Sequence, residues 1–372
     1  MNTPYDVLII GAGIVGACAA LELTRRGQRV AVLEAEGPAR GITRWCPGGV
    51  RQQWSSDLNV QLVRDSLPFF REIHTLDPAL RFEDCGYLFV THTEQGVEHM
   101  RQLVEHQRCN GVNARLLTPD EVRALCPHLS DPSVTAASYG PDDGFVNDPI
   151  GLTRAILEAA LRGGATLIAE RATALTLEGG RVVGARTEQR EWRATVTVLA
   201  AGHGARELAA SAGLDLPLHA EERRLHFLTG LPAADFCTTF VASLEKRWAG
   251  KQIGESFYMS YLGELPEDDA TFRELTFQQG EQLLPGVRQL QTTRVVHGFY
   301  SSTPDFQAIV DAPSELPGLV LSVGFNGNGF MMAPANARLV AALALGETPP
   351  YDHGDYRLAR FTGEVRRETA VI

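Results

Sequence analysis

Three glycines and one acid near the start of the chain have the types and spacing to bind a phosphorylated ligand. Gly11, Gly13 and Gly16 stand in a G-x-G-x-x-G pattern with Ala12, Ile14 and Val15 between them, and Glu34 follows about 18 residues later. In a strand-to-helix turn each glycine has a task. Gly11 permits the tight turn, Gly13 lets a pyrophosphate approach the backbone, and Gly16 lets helix and strand pack closely. The helix N-terminus offers unpaired N–H groups and a partial positive charge. Glu34 has the spacing of the acid that holds a ribose hydroxyl. An acid there, rather than an arginine, argues against a 2′-phosphate, so FAD or NAD is favoured over NADP.

A second group of candidates lies in the loop that follows, residues 37–54. Gly48 and Gly49 would let backbone approach a flat ring. Arg51 would place a cation near a flavin or a substrate carboxylate. Cys46 reads as a buried, inert thiol. Farther along, Tyr258 and Tyr261 are candidates to line a substrate wall. Near the end, Gly324-Phe-Asn-Gly-Asn-Gly-Phe-Met331 repeats the strand, glycine-loop, helix order. A helix N-terminus there would stabilise negative charge on a reduced flavin.

The elements that must position these residues are legible in outline. Val7–Ile10 and Val30–Leu33 are continuous apolar runs, the pattern of parallel strands buried on both faces. A periodic apolar helix, Ile14 to about Arg25, joins them. Ala194–Leu199 reads as another buried strand, running into Ala200-Ala201-Gly202. Leu319–Val323 reads as a fourth, followed by the late glycine loop and a helix opening at Pro334 and reaching about Leu345. Between residues 218 and 293 the pattern changes to strand-like pieces (Arg224–Leu228, Thr238–Ala242, Ser256–Tyr261) and a helix over 269–284. The fold class is therefore α/β: a Rossmann-like FAD-binding domain with a β-sheet-rich cap domain. The boundaries read as 1–84, 143–217 and 294–372 for the discontinuous FAD-binding domain, and 85–142 and 218–293 for the substrate-binding domain. The polar tail from Gly346 onward reads as peripheral.

Bulk properties narrow the partners. The chain has 372 residues, enough for two domains with real cores. Its formal net charge of −11 disfavours a nucleic-acid or anionic-membrane partner. No apolar segment reaches membrane-spanning length. Six cysteines without a C-x-x-C spacing read as reduced thiols of a cytoplasmic protein. His92, His99, His106 and His128 lack metal-ligand spacing, and no metal is expected.

Taken together, four stretches resemble the flavoprotein amine and amino-acid oxidoreductases of the D-amino-acid oxidase and sarcosine oxidase type (glycine oxidase-like). They are Gly11–Gly16 with Glu34; Gly48-Gly-Val-Arg51; Ala200-Ala-Gly202; and Thr303-Pro-Asp305 followed by Gly324–Phe330. The resemblance covers nearly the whole chain. It implies FAD as cofactor, non-covalently held, and a small-molecule amine substrate. It implies oxidation of a C–N bond by hydride transfer to flavin N5, with O2 or another acceptor taking the electrons. Arg51 matches an arginine near the flavin and Tyr300 a tyrosine beside the substrate. With Tyr258 and Met331 they form the expected catalytic set. The expected cofactor contacts add Ala35 and Thr43 to the first motif, Val50 to the second, and Ala172, Ala201 and Gly202 to the third. From the fourth come Asp305, Asn326, Gly327, Asn328, Gly329, Phe330 and Met331.

Three departures bear on the substrate. Gly298 stands where monomeric sarcosine oxidases carry a flavin-linked cysteine. Met331 and Trp54 stand where they carry carboxylate-binding cations. These changes point to a bulkier or less anionic amine held by Trp54, Met331 and the tyrosines. The choice between oxidase and dehydrogenase stays open, with Lys246 and Lys251 near the region where an oxygen-activating lysine is expected. Oligomeric state is open, and so is whether Cys46 links FAD covalently. The competing readings are a flavin-binding subunit of a multi-subunit dehydrogenase, an FAD-dependent hydroxylase, and an NAD-only dehydrogenase.

Overall fold

The computed structural model describes residues 5–363 and 365–370. Strand Tyr5–Ile10 runs through the middle of an eight-stranded sheet and is buried from Val7 onward. Strands Val30–Leu33 and Glu191–Leu199 flank it, both parallel, with Ile10 opposite Leu33 on one side and Leu199 on the other. Thr166–Ile168 extends the sheet beyond Val30–Leu33, and Leu319–Val323 lies parallel to Glu191–Leu199. Antiparallel additions, Ala172–Glu178 with Arg181–Thr187 and the short Ile309–Asp311, complete it.

This register has a direct consequence. The parallel strands finish along one edge, so the segments after them emerge together: Gly11, Glu34, Ala200–Gly202 and Gly324. In open α/β sheets that edge is where ligands bind. The helices Ile14–Arg25 and Gly329–Leu345 pack on each other and on the sheet, with Asp57–Arg71 and Pro149–Arg162 beside them.

The helix after the late glycine loop starts at Gly329, before the expected Pro334. Proline lacks an N–H and normally interrupts a helix interior. Here the helix continues through the proline, and the N–H of the next residue, Ala335, donates to the Ser66 hydroxyl at 3.0 Å.

The second sheet also has eight strands, in the order Gln291–Ser302, His219–Thr229, Ser256–Tyr261, Trp248–Ile253, Phe240–Ser243, Tyr87–Thr91, Ala136–Gly140, Arg115–Leu117. Two of them have weak sequence signals. Trp248–Ile253 has Gly250, Lys251 and Gln252 at its centre, and Gln291–Ser302 is a half-polar edge strand. The latter pairs with His219–Thr229 along its length, so this sheet extends past residue 293 to Ser302. Side chains alternate between two faces. Trp248, Phe257 and Met259 meet the helix Asp269–Leu283 through Phe277. Tyr87, Phe89, Phe240, Ala249 and Tyr258 form the opposite face, with Phe145 packed against them.

The tail is not peripheral. Residues 365–370 return to the start of the helix Asp57–Arg71. There the Glu368 carboxylate, fully buried, accepts from the Ser55 N–H (2.9 Å), the Ser56 N–H and hydroxyl (3.0 and 2.8 Å), the Ser55 hydroxyl, and Asn59 Nδ2 (2.8 Å). It caps from about 310 residues away the helix terminus that local side chains would normally cap.

Candidate cofactor and active site

The dinucleotide end is built from backbone. Helix Ile14–Arg25 begins with Gly13 as its cap residue, and its first-turn N–H groups face the sheet edge. The Ile14 N–H donates to Thr43 Oγ1 at 3.2 Å, and the Ala12 N–H donates to Glu34 Oε2 at 2.8 Å. Thr43 is buried in the short helical turn Ile42–Trp45. Gly11, at φ +107°, lies under Ala200, whose carbonyl oxygen would be 2.5 Å from any Cβ added there. A Cβ on Gly16 would sit 1.9 Å from the Gly11 carbonyl oxygen. The structure thus gathers Gly11, Gly13, Ile14, Val15, Gly16, Glu34, Ala35, Thr43, Ala201 and Gly202 at one edge. Ala172 lies just beyond the strand next to Glu34.

These features fit FAD. The cradle is one that side chains would fill, the carboxylate lies beside the turn, and a threonine hydroxyl stands at the helix N-terminus. Gly16→Ala is expected to yield protein purified with little or no flavin, because the Cβ clash displaces the loop that receives the pyrophosphate. Visible absorbance of the purified variant measures this, and full flavin content would contradict the assignment.

At the other end lies Arg51, which is 1% exposed. Its Nη1 donates to the Gln53 carbonyl (2.5 Å) and Nη2 to the Ala370 carbonyl (2.6 Å), while Nε is buried without a partner. Burial pushes its pKa down to about 10, with Glu368 the chief opposing charge, so it is a cation at neutral pH. The Trp54 indole lies 3.6 Å beneath the guanidinium and donates to the Arg51 carbonyl at 2.9 Å. Trp54 is therefore a fully buried support for Arg51. Its expected role as a substrate wall is corrected: no face of it is left for a ligand.

Tyr300 and Tyr87 stand within electrostatic reach of Arg51, and Tyr258 within reach of Tyr300. Burial raises the phenols of Tyr258 and Tyr300, Tyr258 well above its usual range; on Tyr300 the Arg223 charge, and more weakly Arg51, acts in the opposite sense. Tyr258 packs among Phe145, Phe227 and Phe240. The Tyr300 ring lies against Gly327, where a Cβ would be 2.4 Å from it. Met331 is not gathered with them; it lies in the apolar core of the nucleotide domain with Phe330, which stacks on Phe70 at 5.6 Å.

Other expected contacts have protein partners of their own. Gly48 faces the Val146 carbonyl and Gly49 the Tyr87 hydroxyl, at 2.3 and 2.0 Å from a notional Cβ, so the ring that Gly49 admits is a tyrosine's. Val50 is buried in a two-residue strand opposite Gly144. The Asn326 side chain clips the late loop to Thr303, accepting its N–H at 2.8 Å and donating to the Gly324 carbonyl at 2.7 Å. Asn328 donates to the Asn326 carbonyl. Gly329, the first helical residue, packs against Val15 at the other helix's N-terminus. Asp305 forms a buried two-point pair with Arg360 at 2.7 and 3.0 Å.

Of the two lysines, Lys246 lies with Asp131 (2.9 Å) and Gln282, away from the tyrosines. Lys251 is 3% exposed, is Tyr258's cross-strand partner, and stands 5.1 Å from the Phe145 ring. The Cys46 thiol is pushed up to about 12 by burial and stays protonated.

Three residues of this region escaped the sequence reading. Tyr87, on the strand Tyr87–Thr91, stacks on Phe145 at 5.2 Å. Asp143, whose carboxylate burial raises to about 7, accepts from Gln52 and Gln53, the residues next to Arg51. Glu368 had no local signal at all.

A parallel sheet whose strand ends converge on a glycine cradle, roofed by a second sheet with an aromatic face, defines a two-domain dinucleotide-dependent oxidoreductase. Residues 6–343 match the family described as DAO, FAD dependent oxidoreductase, and the chain belongs to it. Its cofactor is FAD. The chain is 26% identical over 388 residues to 4-methylaminobutanoate oxidase (formaldehyde-forming) of Paenarthrobacter nicotinovorans, covering 98% of this chain but 46% of that relative. It is 25% identical over 384 residues to glycine oxidase of Geobacillus kaustophilus, covering 98% and 99% of the two chains. The crystal structure of L-proline dehydrogenase from P. horikoshii superposes with a TM-score of 0.92 at 27% identity, covering 98% of this chain and 100% of that one. No helix among the described residues is long and apolar enough to cross a membrane.

Proposed function

We propose that the protein oxidises the C–N bond of an amine or N-substituted amino or imino acid. The reading is supported by a buried cation, Arg51, with Tyr300 within its electrostatic reach and Tyr258 within reach of Tyr300, in a chain of the FAD-dependent family. The relatives' named activities on 4-methylaminobutanoate, glycine and L-proline support it. FAD, when bound, accepts the hydride.

The chain's own residues do the rest. The aromatic face of Tyr87, Phe145, Phe240 and Tyr258 excludes water and orients the substrate's carbon skeleton. Arg51 stabilises negative charge that develops nearby during the reaction. Gly298 offers no thiol and Cys46 is held protonated, which supports non-covalent FAD. The six cysteines are all free, which supports a cytoplasmic site.

The test is an anaerobic visible spectrum of the FAD-loaded protein, titrated with secondary amines, N-methyl amino acids and cyclic imino acids. The flavin band is expected to bleach with members of this panel. Readmitting air then shows whether O2 or another acceptor takes the electrons. A band that no amine bleaches would overturn the reading.

A further inference from the structure

One face of the second sheet carries a charged pair that the reaction outlined above does not use. Glu221 and Arg223 lie two apart on His219–Thr229, so both project to one face. Arg223 Nη2 and Glu221 Oε1 are 2.8 Å apart, and each side chain is 28% exposed. With Tyr300, Leu244, Leu262, Phe306 and Asn326 they line a cavity of about 130 Å3. Tyr300 is the cross-strand partner of Glu221, and its ring lies 5.5 Å from the Arg223 guanidinium. The cavity therefore sits where the second sheet meets the late glycine loop of the nucleotide domain.

The neighbouring arginine shows what a purely structural role looks like on this strand. Arg224 projects to the other face and is 6% exposed; it is held by Glu222, the Pro266 carbonyl and Asp269. Arg223 is held less completely. Beyond Glu221 it reaches, among the described residues, only the Glu222 carbonyl, at 3.2 Å, and a guanidinium has five N–H donors. Glu221 is itself steadied by the Ser302 hydroxyl at 2.9 Å. The other cavity walls are Leu244, Leu262, Phe306, the Tyr300 ring and Asn326.

We infer that Arg223 is the group that binds a substrate carboxylate, so that the amine oxidised is an amino or imino acid rather than a simple amine. This rests on the proposed C–N oxidation and narrows its substrate class. A guanidinium matches a carboxylate at two points. Glu221 beside it orients that fork and favours the substrate's nitrogen end over a second anion. The apolar walls accept a short carbon skeleton.

The test uses the FAD-loaded full chain and two readouts. The first is binding of tetrahydrofuran-2-carboxylate, which has a ring and a carboxylate but no C–N bond, followed by perturbation of the flavin band and by calorimetry. The second is anaerobic flavin reduction by proline compared with pyrrolidine. Arg223→Gln is expected to weaken tetrahydrofuran-2-carboxylate binding by about 10- to 100-fold, the size of a lost charge-assisted hydrogen-bond pair. It is expected to slow reduction by proline at low concentration at least tenfold more than reduction by pyrrolidine. Arg223→Lys retains part of the binding. The double variant Glu221→Gln/Arg223→Gln leaves no unpaired carboxylate, yet is expected to show the same loss. Binding unchanged within about twofold in both variants would overturn the inference. So would a wild-type protein that is reduced by pyrrolidine but binds no carboxylate. Failure of every amine to reduce the flavin would count against C–N oxidation itself, while carboxylate binding would still be read directly.

Discussion

Replacing Glu368 by alanine is expected to destabilise the protein by about 3–5 kcal/mol, the usual cost of breaking a buried charged network by removing one member. The carboxylate accepts from both Ser55 and Ser56 and from Asn59, all at the start of one helix. Without it those donors stay buried and unpaired, and the helix loses its cap. The tail carrying Ala370, which receives Arg51, loses its anchor as well. Urea unfolding measures the loss; a change below about 1 kcal/mol would show that the tail contributes little.

The same contact makes stability depend on pH. Burial alone would raise the Glu368 pKa, but hydrogen bonds from Ser55, Ala370 and Ser56 outweigh it, and the folded value lies below the ordinary 4.5. A carboxylate with a depressed folded pKa binds protons more tightly when unfolded. Its contribution is therefore complete above the unfolded value and disappears as pH falls through the folded one. Glu368→Gln is expected to flatten the acid limb of a stability-versus-pH profile. An unchanged acid limb would show that other carboxylates govern it.

Arg51→Met is expected to slow anaerobic flavin reduction by about 10²–10³-fold, the range for removing one preorganised electrostatic partner from a dry site. It is also expected to lower the reduction potential of the bound flavin. The cation is buried, so its field is poorly screened, and it stays charged below its pKa of about 10. Arg51→Lys keeps the charge but cannot hold the Gln53 and Ala370 carbonyls and the Trp54 face together, and should lie between. Stopped-flow reduction and potentiometry give both quantities. A normal potential with slow reduction would assign Arg51 to positioning alone. A normal potential and a normal rate would remove it from the reaction.

These outcomes bear on how much the chain discloses on its own. The glycine cradle, Glu34 and the parallel strands were legible because their signals are local: apolar runs of strand length, glycines at turn spacing, an acid at a fixed offset. The order of four such stretches also pointed to the family. Secondary structure faltered where local preference was overridden. The strand Trp248–Ile253 carries Lys251 and Gln252 toward partners supplied by other elements, and the helix at Gly329 runs through Pro334, with Ser66, far away in sequence, accepting the Ala335 N–H.

The substrate side depended on facts no spacing contains. Trp54 looked like a ligand wall; folding buries it under Arg51. Met331 looked like a substrate contact; its helix turns it into the core. Arg223 and Arg224 are adjacent and chemically identical, and only the pleat and its neighbours decide that one is tied down and the other lines a cavity. The sequence by itself determined the cofactor class and the architecture of the nucleotide domain, because those rest on backbone geometry within short segments. The tertiary structure alone decided which charges are buried, which are satisfied and which face the ligand. Those properties arise from contacts between segments up to some 310 residues apart, such as Ser55 with Glu368.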